Sequence, residues 1–154
     1  MCFYTKQKEP IIASEDIKGY KILVKKGSSE FIPYFVMNPT IELDTVLIND
    51  SELCILGSAA MKERKVLSGV FHIFKNIDPI KMCLHRHDIT NRLKDRIFVA
   101  EAIIPKGTTY FFGRSNSFTK EDETYASTKI IYKNPIQIDD FLKSFKEDTS
   151  ISLC

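Results

Sequence analysis

The chain has 154 residues, enough for one domain whose core holds without disulfide or metal staples. Its 22 basic and 20 acidic side chains leave a formal net charge of +2, too even for a face dedicated to nucleic acid, although net charge hides local patches. No apolar run reaches the ~18 residues of a membrane span, and the start, Met1 to Lys8, lacks the apolar core of a signal peptide.

Residues 1–16 read as a polar N-terminal segment containing Pro10. Gly19 to Lys26 alternates and is rich in β-formers, which predicts a strand. Gly27-Ser28-Ser29 is a turn, and Phe31 to Met37 is a second strand that Pro33 assigns to an edge. Thr45 to Ile48 reads as a short strand, and Ala59 to Arg64 as a short helix. Val70 to Phe74 is a strand. Asp78 then caps a helix with Pro79 in its first turn. Ile80, Cys83, Leu84, Ile89 and Leu93 fall at helical spacing, so the helix is expected over about 78–94.

Ile97 to Ile104 is a strong strand, Pro105-Lys106-Gly107 a turn, and Thr108 to Phe112 a further strand. Gly113 to Glu123 reads as a polar loop, and Tyr125 to Lys133 as the last core strand. A short C-terminal helix is expected over 139–146, with 147–154 a frayed tail. The expected fold class is therefore α+β: a compact single domain, 1–154, of mostly antiparallel twisted sheet with one main helix.

Cys2, Cys54, Cys83 and Cys154 contain no Cys-x-x-Cys spacing and read as reduced thiols in a cytoplasmic protein. His72 lies inside an apolar strand, where a histidine is either a hydrogen-bonded core residue or a tuned proton carrier. His85 and His87 form a His-x-His pair, but on a helix residues two apart diverge by about 200°, so no metal site is assigned. Glu101 shares a strand face with Val99 and Ile103. An unpaired carboxylate there is either a rim residue or a functional one. Arg114 and Ser115, in Gly113-Arg114-Ser115-Asn116-Ser117, offer a guanidinium, hydroxyls and amides that suit a phosphate or sulfate, and equally an ordinary surface turn. There is no phosphate-binding loop, dinucleotide fingerprint or nucleophile elbow.

Ser68-Gly69-Val70-Phe71-His72, then Asn76-Ile77-Asp78-Pro79, resemble a family of small phage and mobile-element domains with a Ser-Gly-Phe-His strand and an Asn-Pro helix start. Tyr20-Lys21, Val99-Ala100-Glu101-Ala102 and Ala126-Ser127-Thr128-Lys129-Ile130 extend the likeness over about half of the chain, with Val70 as an insertion. This resemblance transfers no activity. It implies a phage-type or mobile-element accessory protein.

Glu101 to Thr108 is also similar to the glutamate-strand-turn element of ADP-ribosyltransferases. That likeness implies Glu101 as catalytic carboxylate beside His72, with Tyr20 and Lys21 lining a pocket for NAD. Lys21 stands where those enzymes carry Arg or His, and Val99 where they carry a second Glu or Gln. The function expected is a non-enzymatic domain that binds a small, nucleotide-like ligand or a host protein, without a cofactor. The alternative is an ADP-ribosyltransferase-like enzyme. Neither reading implies a specific nucleic-acid or membrane partner.

Overall fold

A computed structural model describes residues 3–34, 40–49, 51–57, 62–84, 94–115 and 122–152. The strands are β1 (Phe3–Thr5), β2 (Ile11–Ile12), β3 (Ile17–Lys26), β4 (Glu30–Pro33), β5 (Leu47–Ile48), β6 (Cys54–Leu56), β7 (Arg64–Ser68) and β8 (Phe71–Phe74). After helix α1 (Asp78–Leu84) and a 3-10 turn (Lys94–Arg96) come β9 (Ile97–Ile104), β10 (Thr109–Ser115), β11 (Asp122–Ser127), β12 (Lys129–Gln137) and helix α2 (Ile138–Ser152). The described strands form one sheet in the order β5-β12-β9-β3-β8-β11-β10-β1-β7-β6, with β4 paired to β3 and β2 to β10. Every strand pair in it is antiparallel.

The fold is predominantly β, which corrects the expected α+β domain with a main helix over 78–94. Helix α1 covers 7 residues, and α2, expected to be short, covers 15. Residues 85–93 lie outside the described residues, and Lys94–Arg96 are already a 3-10 turn. Helix α2 starts where Gln137 Oε1 accepts from the backbone N–H groups of Asp139 (2.8 Å) and Asp140 (3.4 Å). Asp139 and Asp140 suit the positive end of its dipole. Ile138, Phe141, Leu142 and Phe145 recur at helical spacing and carry its apolar stripe to the core. The helix runs past 146 into the segment expected to fray.

Other elements also differ. The N-terminal segment contains β1 and β2, and Phe3 is 0% exposed. Arg64, expected at the end of a helix, begins β7, which is held between β1 and β6. The expected strand 125–133 is two strands broken at Thr128, and β12 continues to Gln137 through a bulge. Asn134 takes a left-handed conformation there (φ 48°), and Pro135 needs no ladder partner. Gly113 to Ser115 belong to β10 rather than to a loop, and residues 116–121 lie outside the described residues.

Two faces of the sheet are buried for different reasons. On one, Ile22 and Val24 of β3, Ile97 and Val99 of β9 and Phe74 of β8 meet Ile80 of α1 and Ile138 and Phe141 of α2. On the other, Leu23, Ala100, Ala102, Ile104, Ile130 and Tyr132 pack with Phe31 and Ile41. A third cluster, Phe3, Val66, Val70, Phe111 and Ala126, ties the β1–β7 end to β8, β10 and β11. Each fully buried aliphatic side chain contributes roughly 1.5–3 kcal/mol.

The Ser68–Phe74 motif has a structural account. Gly69 sits at φ 85°, and a Cβ there would lie 2.6 Å from Leu53 Cα. Only glycine can turn β7 into β8 against that backbone.

Candidate functional site

Strands β3 and β8 share a single residue pair, Tyr20 with Phe74, before they diverge. Past that point Lys21 Nζ donates to the His72 carbonyl at 2.7 Å, filling the seam where a ladder bond would otherwise run. A cavity of about 340 Å³ opens there. Its apolar walls include Pro33, Ile41, Leu47, Val70 and Phe71, and its polar groups come from Lys21, Thr40, Asn49, His72 and Tyr132. The volume lies within the range of small-molecule pockets.

Lys21 is half-buried as a residue, but its amine is the shielded part, and burial lowers its pKa to about 8. It therefore remains mostly protonated at neutral pH. Burial also raises the Tyr132 phenol, which stays a neutral donor. Among the described residues the lining contains no carboxylate, and Lys21 carries their one formal charge at neutral pH.

His72 is also shielded. Burial first, then the charge of Lys21 and of the N-terminus, lowers its pKa to about 3, so the ring is neutral. Its Nε2 has no hydrogen-bond partner among the described residues, and its ring stacks at a tilt on Phe3, centroids 5.6 Å apart. An unsatisfied buried nitrogen costs about 1–3 kcal/mol.

Glu101 is elsewhere. It pairs across β3 with Tyr20 and across β12 with Lys133, forming a row on the helix-covered face. Asn134 Nδ2 lies 3.5 Å from its Oε2, at the limit of a hydrogen bond. Burial first, then the Glu101 charge, raises the Tyr20 phenol. The Tyr20 ring packs edge-on to Phe141 and Phe145, at 5.6 and 6.0 Å. The structure thus brings Tyr20 beside Glu101, and the Lys21 amine onto the His72 carbonyl, as two separate pairs.

Arg114 and Ser115 separate in the same way, because β10 alternates. Ser115 is 0% exposed and accepts from the Thr124 hydroxyl at 3.1 Å. Arg114 points to the opposite face and lines an open cleft of about 450 Å³ with Tyr4, Lys6, Gln7, Glu63, Phe112, Gly113 and Glu123. Its Nε and Nη2 donate to the two carboxylate oxygens of Glu63 at 3.2 and 2.9 Å. This hydrogen-bonded pairing holds the Glu63 carboxyl below its usual range.

The sequence reading missed Tyr4, Lys6, Gln7, Glu63 and Phe112 as neighbours of Arg114. Their one sequence signal was Phe3-Tyr4, two adjacent aromatics within a stretch read as polar. Gln7 and Thr5 substitute for the ladder where β10 changes partner from β1 to β2. Gln7 Oε1 accepts from Phe112 N–H (2.6 Å), and Thr5 Oγ1 donates to Phe112 O (2.8 Å). A Cβ on Gly113 would fall on the Tyr4 carbonyl, so glycine is what lets β1 come this close.

His85 and His87 lie outside the described residues. Among the described residues no group of His, Cys, Asp and Glu is arranged to hold a metal, and no helix is long and apolar enough to cross a membrane. Cys54 is a free, exposed thiol. No protein-family model, no curated protein and no solved structure matches the chain.

Proposed function

We propose that the chain is a non-enzymatic binding domain whose ligand occupies the Lys21 cavity. The ligand class is a small molecule with an apolar or planar body and an anionic head, such as a nucleotide. One observation carries this reading: a shielded ammonium in an apolar-walled cavity whose described lining holds no carboxylate. A buried charge is costly unless paired, and a bound anion would offset that cost. Asn49 and the Tyr132 phenol would orient the head, and Phe71 and Leu47 would hold the body. The likeness of Ser68–Lys81 to phage and mobile-element domains fits such an accessory role.

The test is a thermal-shift series with AMP, ADP, NAD, inorganic phosphate and octanoate. A rise in Tm with at least one anion that disappears in Lys21→Met is expected. Binding should also weaken as pH rises above about 8, where the free Lys21 amine loses its proton. The slope approaches tenfold per pH unit if one proton is taken up. No shift with any of these ligands removes the small-molecule reading and leaves a host protein as partner.

An ADP-ribosyltransferase-like reading draws on one feature, the Tyr20–Glu101 pairing beside the Glu101–Thr108 element. It requires NAD binding, and turnover that Glu101→Gln abolishes with the fold intact. Undetectable NAD binding at millimolar concentration would dispose of it.

A further inference from the structure

Beyond the Lys21 cavity, the cleft around Arg114 belongs to a patterned sheet face. β-register places Lys65, Tyr4, Arg114 and Glu123 side by side on β7, β1, β10 and β11. Lys75 closes the row, its N–H donating to the Glu123 carbonyl and its amine 3.6 Å from the Glu123 carboxylate. The adjoining rings form a contiguous patch. Phe112 and Tyr125 lie 5.3 Å apart, and Tyr125 and Tyr110 lie 6.0 Å apart. All four aromatics, Tyr4 included, are half-buried, so each keeps part of its surface in solvent. Cations sit over two of them: Arg114 at 4.7 Å from the Tyr4 ring centre, and Lys75 at 5.3 Å from that of Phe112.

The local charge is uneven although the chain is nearly neutral. Lys6, Lys65, Lys75 and Arg114 gather here against Glu63 and Glu123. Half-buried rings between cations on this sheet face offer part of their surface for stacking of bases, and the cations offer neutralisation for phosphates. Neither depends on base identity. A neutral glycan would use the rings but leave the excess of cations without a role. A rigid duplex would meet the cations but not the rings.

We infer that the β1–β10–β11 face is a sequence-tolerant binding site for single-stranded nucleic acid. Bases would stack on Phe112, Tyr125 and Tyr4, and Lys6, Lys65 and Lys75 would track the phosphates. Arg114, held by Glu63, keeps the Tyr4 edge of the platform in place.

The experiment is fluorescence anisotropy of the whole chain with a labelled oligothymidylate of about 16 nucleotides. Binding that weakens with salt is expected, its log–log slope losing roughly 0.7 for each phosphate contact removed in Lys6→Ala or Lys75→Ala. Phe112→Ala should weaken binding by about tenfold or more. Because Phe112 is half-buried, Tyr125→Leu provides a second stacking variant, and unfolding curves check both folds. Lys21→Met should leave oligonucleotide binding unchanged. Three results would overturn the inference: no binding at low salt, equal binding of duplex DNA or heparin with no dependence on the rings, or loss of binding in Lys21→Met alone.

Discussion

The Lys21 cavity and the Arg114 cleft both present positive charge, and they do so in opposite ways. In the cavity one ammonium is shielded, faces no carboxylate among the described lining residues and donates to a backbone carbonyl. In the cleft several cations are solvated, and Arg114 and Lys75 are paired with Glu63 and Glu123 and laid over rings. Burial makes the first charge expensive, so it shifts its pKa and favours a counter-ion. Solvent makes each charge in the second inexpensive, so its effect is collective and sensitive to salt.

The largest effect that bears on this contrast is acid sensitivity beside the cavity. His72 titrates near 3 when folded and near 6.5 when unfolded, so the unfolded chain binds more protons between those values. Stability must therefore rise with pH across that window. The loss on acidification is on the order of 5 kcal/mol, and His72→Phe should flatten it. Urea unfolding at pH 7 and pH 3 reads most of this loss, of which about 3 kcal/mol is already gone at pH 4. An unchanged slope in the variant would mean that His72 is not the shielded group.

Phe3→Ala comes next, at about 3–5 kcal/mol. It removes a fully buried ring that anchors β1, and with it the Tyr4 wall of the cleft. The same denaturation measurement gives its cost. Ligand shifts at the Lys21 cavity should persist in the folded fraction. If they vanish together with oligonucleotide binding, the two regions are one cooperative site.

Lys21→Met has a smaller effect on stability. The Lys21 pKa is depressed on folding, so wild-type stability should rise between pH 8 and 10.5. The rise is at most about 3 kcal/mol, and less because the side chain is partly exposed. The variant should lack that rise, as Tm against pH would reveal.

The smallest effect is Glu63→Gln. It should lower the urea midpoint only slightly, because a half-buried surface ion pair contributes little net stability. Oligonucleotide affinity should rise modestly, since a repelling carboxylate is removed. A large drop in Tm would show that the pair supports the sheet.

The two regions also differ in how far they could be read from the chain. The β-rich segments announced themselves: strands expected over Gly19–Lys26, Val70–Phe74 and Ile97–Ile104 are found as Ile17–Lys26, Phe71–Phe74 and Ile97–Ile104, and Asp78-Pro79 begins a helix. Short strands did not. Phe3–Thr5, Ile11–Ile12 and Cys54–Leu56 span two or three residues, too few for a period-two pattern, and they persist because partners far along the chain complete their ladders. Of the helix expected over 78–94, the described part is Asp78–Leu84, and Lys94–Arg96 form a 3-10 turn, because apolar spacing signals helical compatibility and does not fix the ends.

Candidate residues followed the same division. Tyr20, Lys21, His72, Glu101, Arg114 and Ser115 were chosen by residue type and local pattern. Tyr20 and Lys21 were expected to line one pocket and Arg114 and Ser115 to share one loop, but strand alternation sets the members of each pair on opposite faces. By itself, then, the chain determined its main strands, the α1 cap and the side-chain alternation, because these depend on neighbours one to four residues away. Tertiary structure alone decided that Lys21 reaches His72 while Glu101 meets Tyr20, and that Tyr4, Glu63, Phe112 and Arg114 share one cleft. Those meetings depend on strand order and register, which are fixed by long-range pairing rather than by any local run of residues.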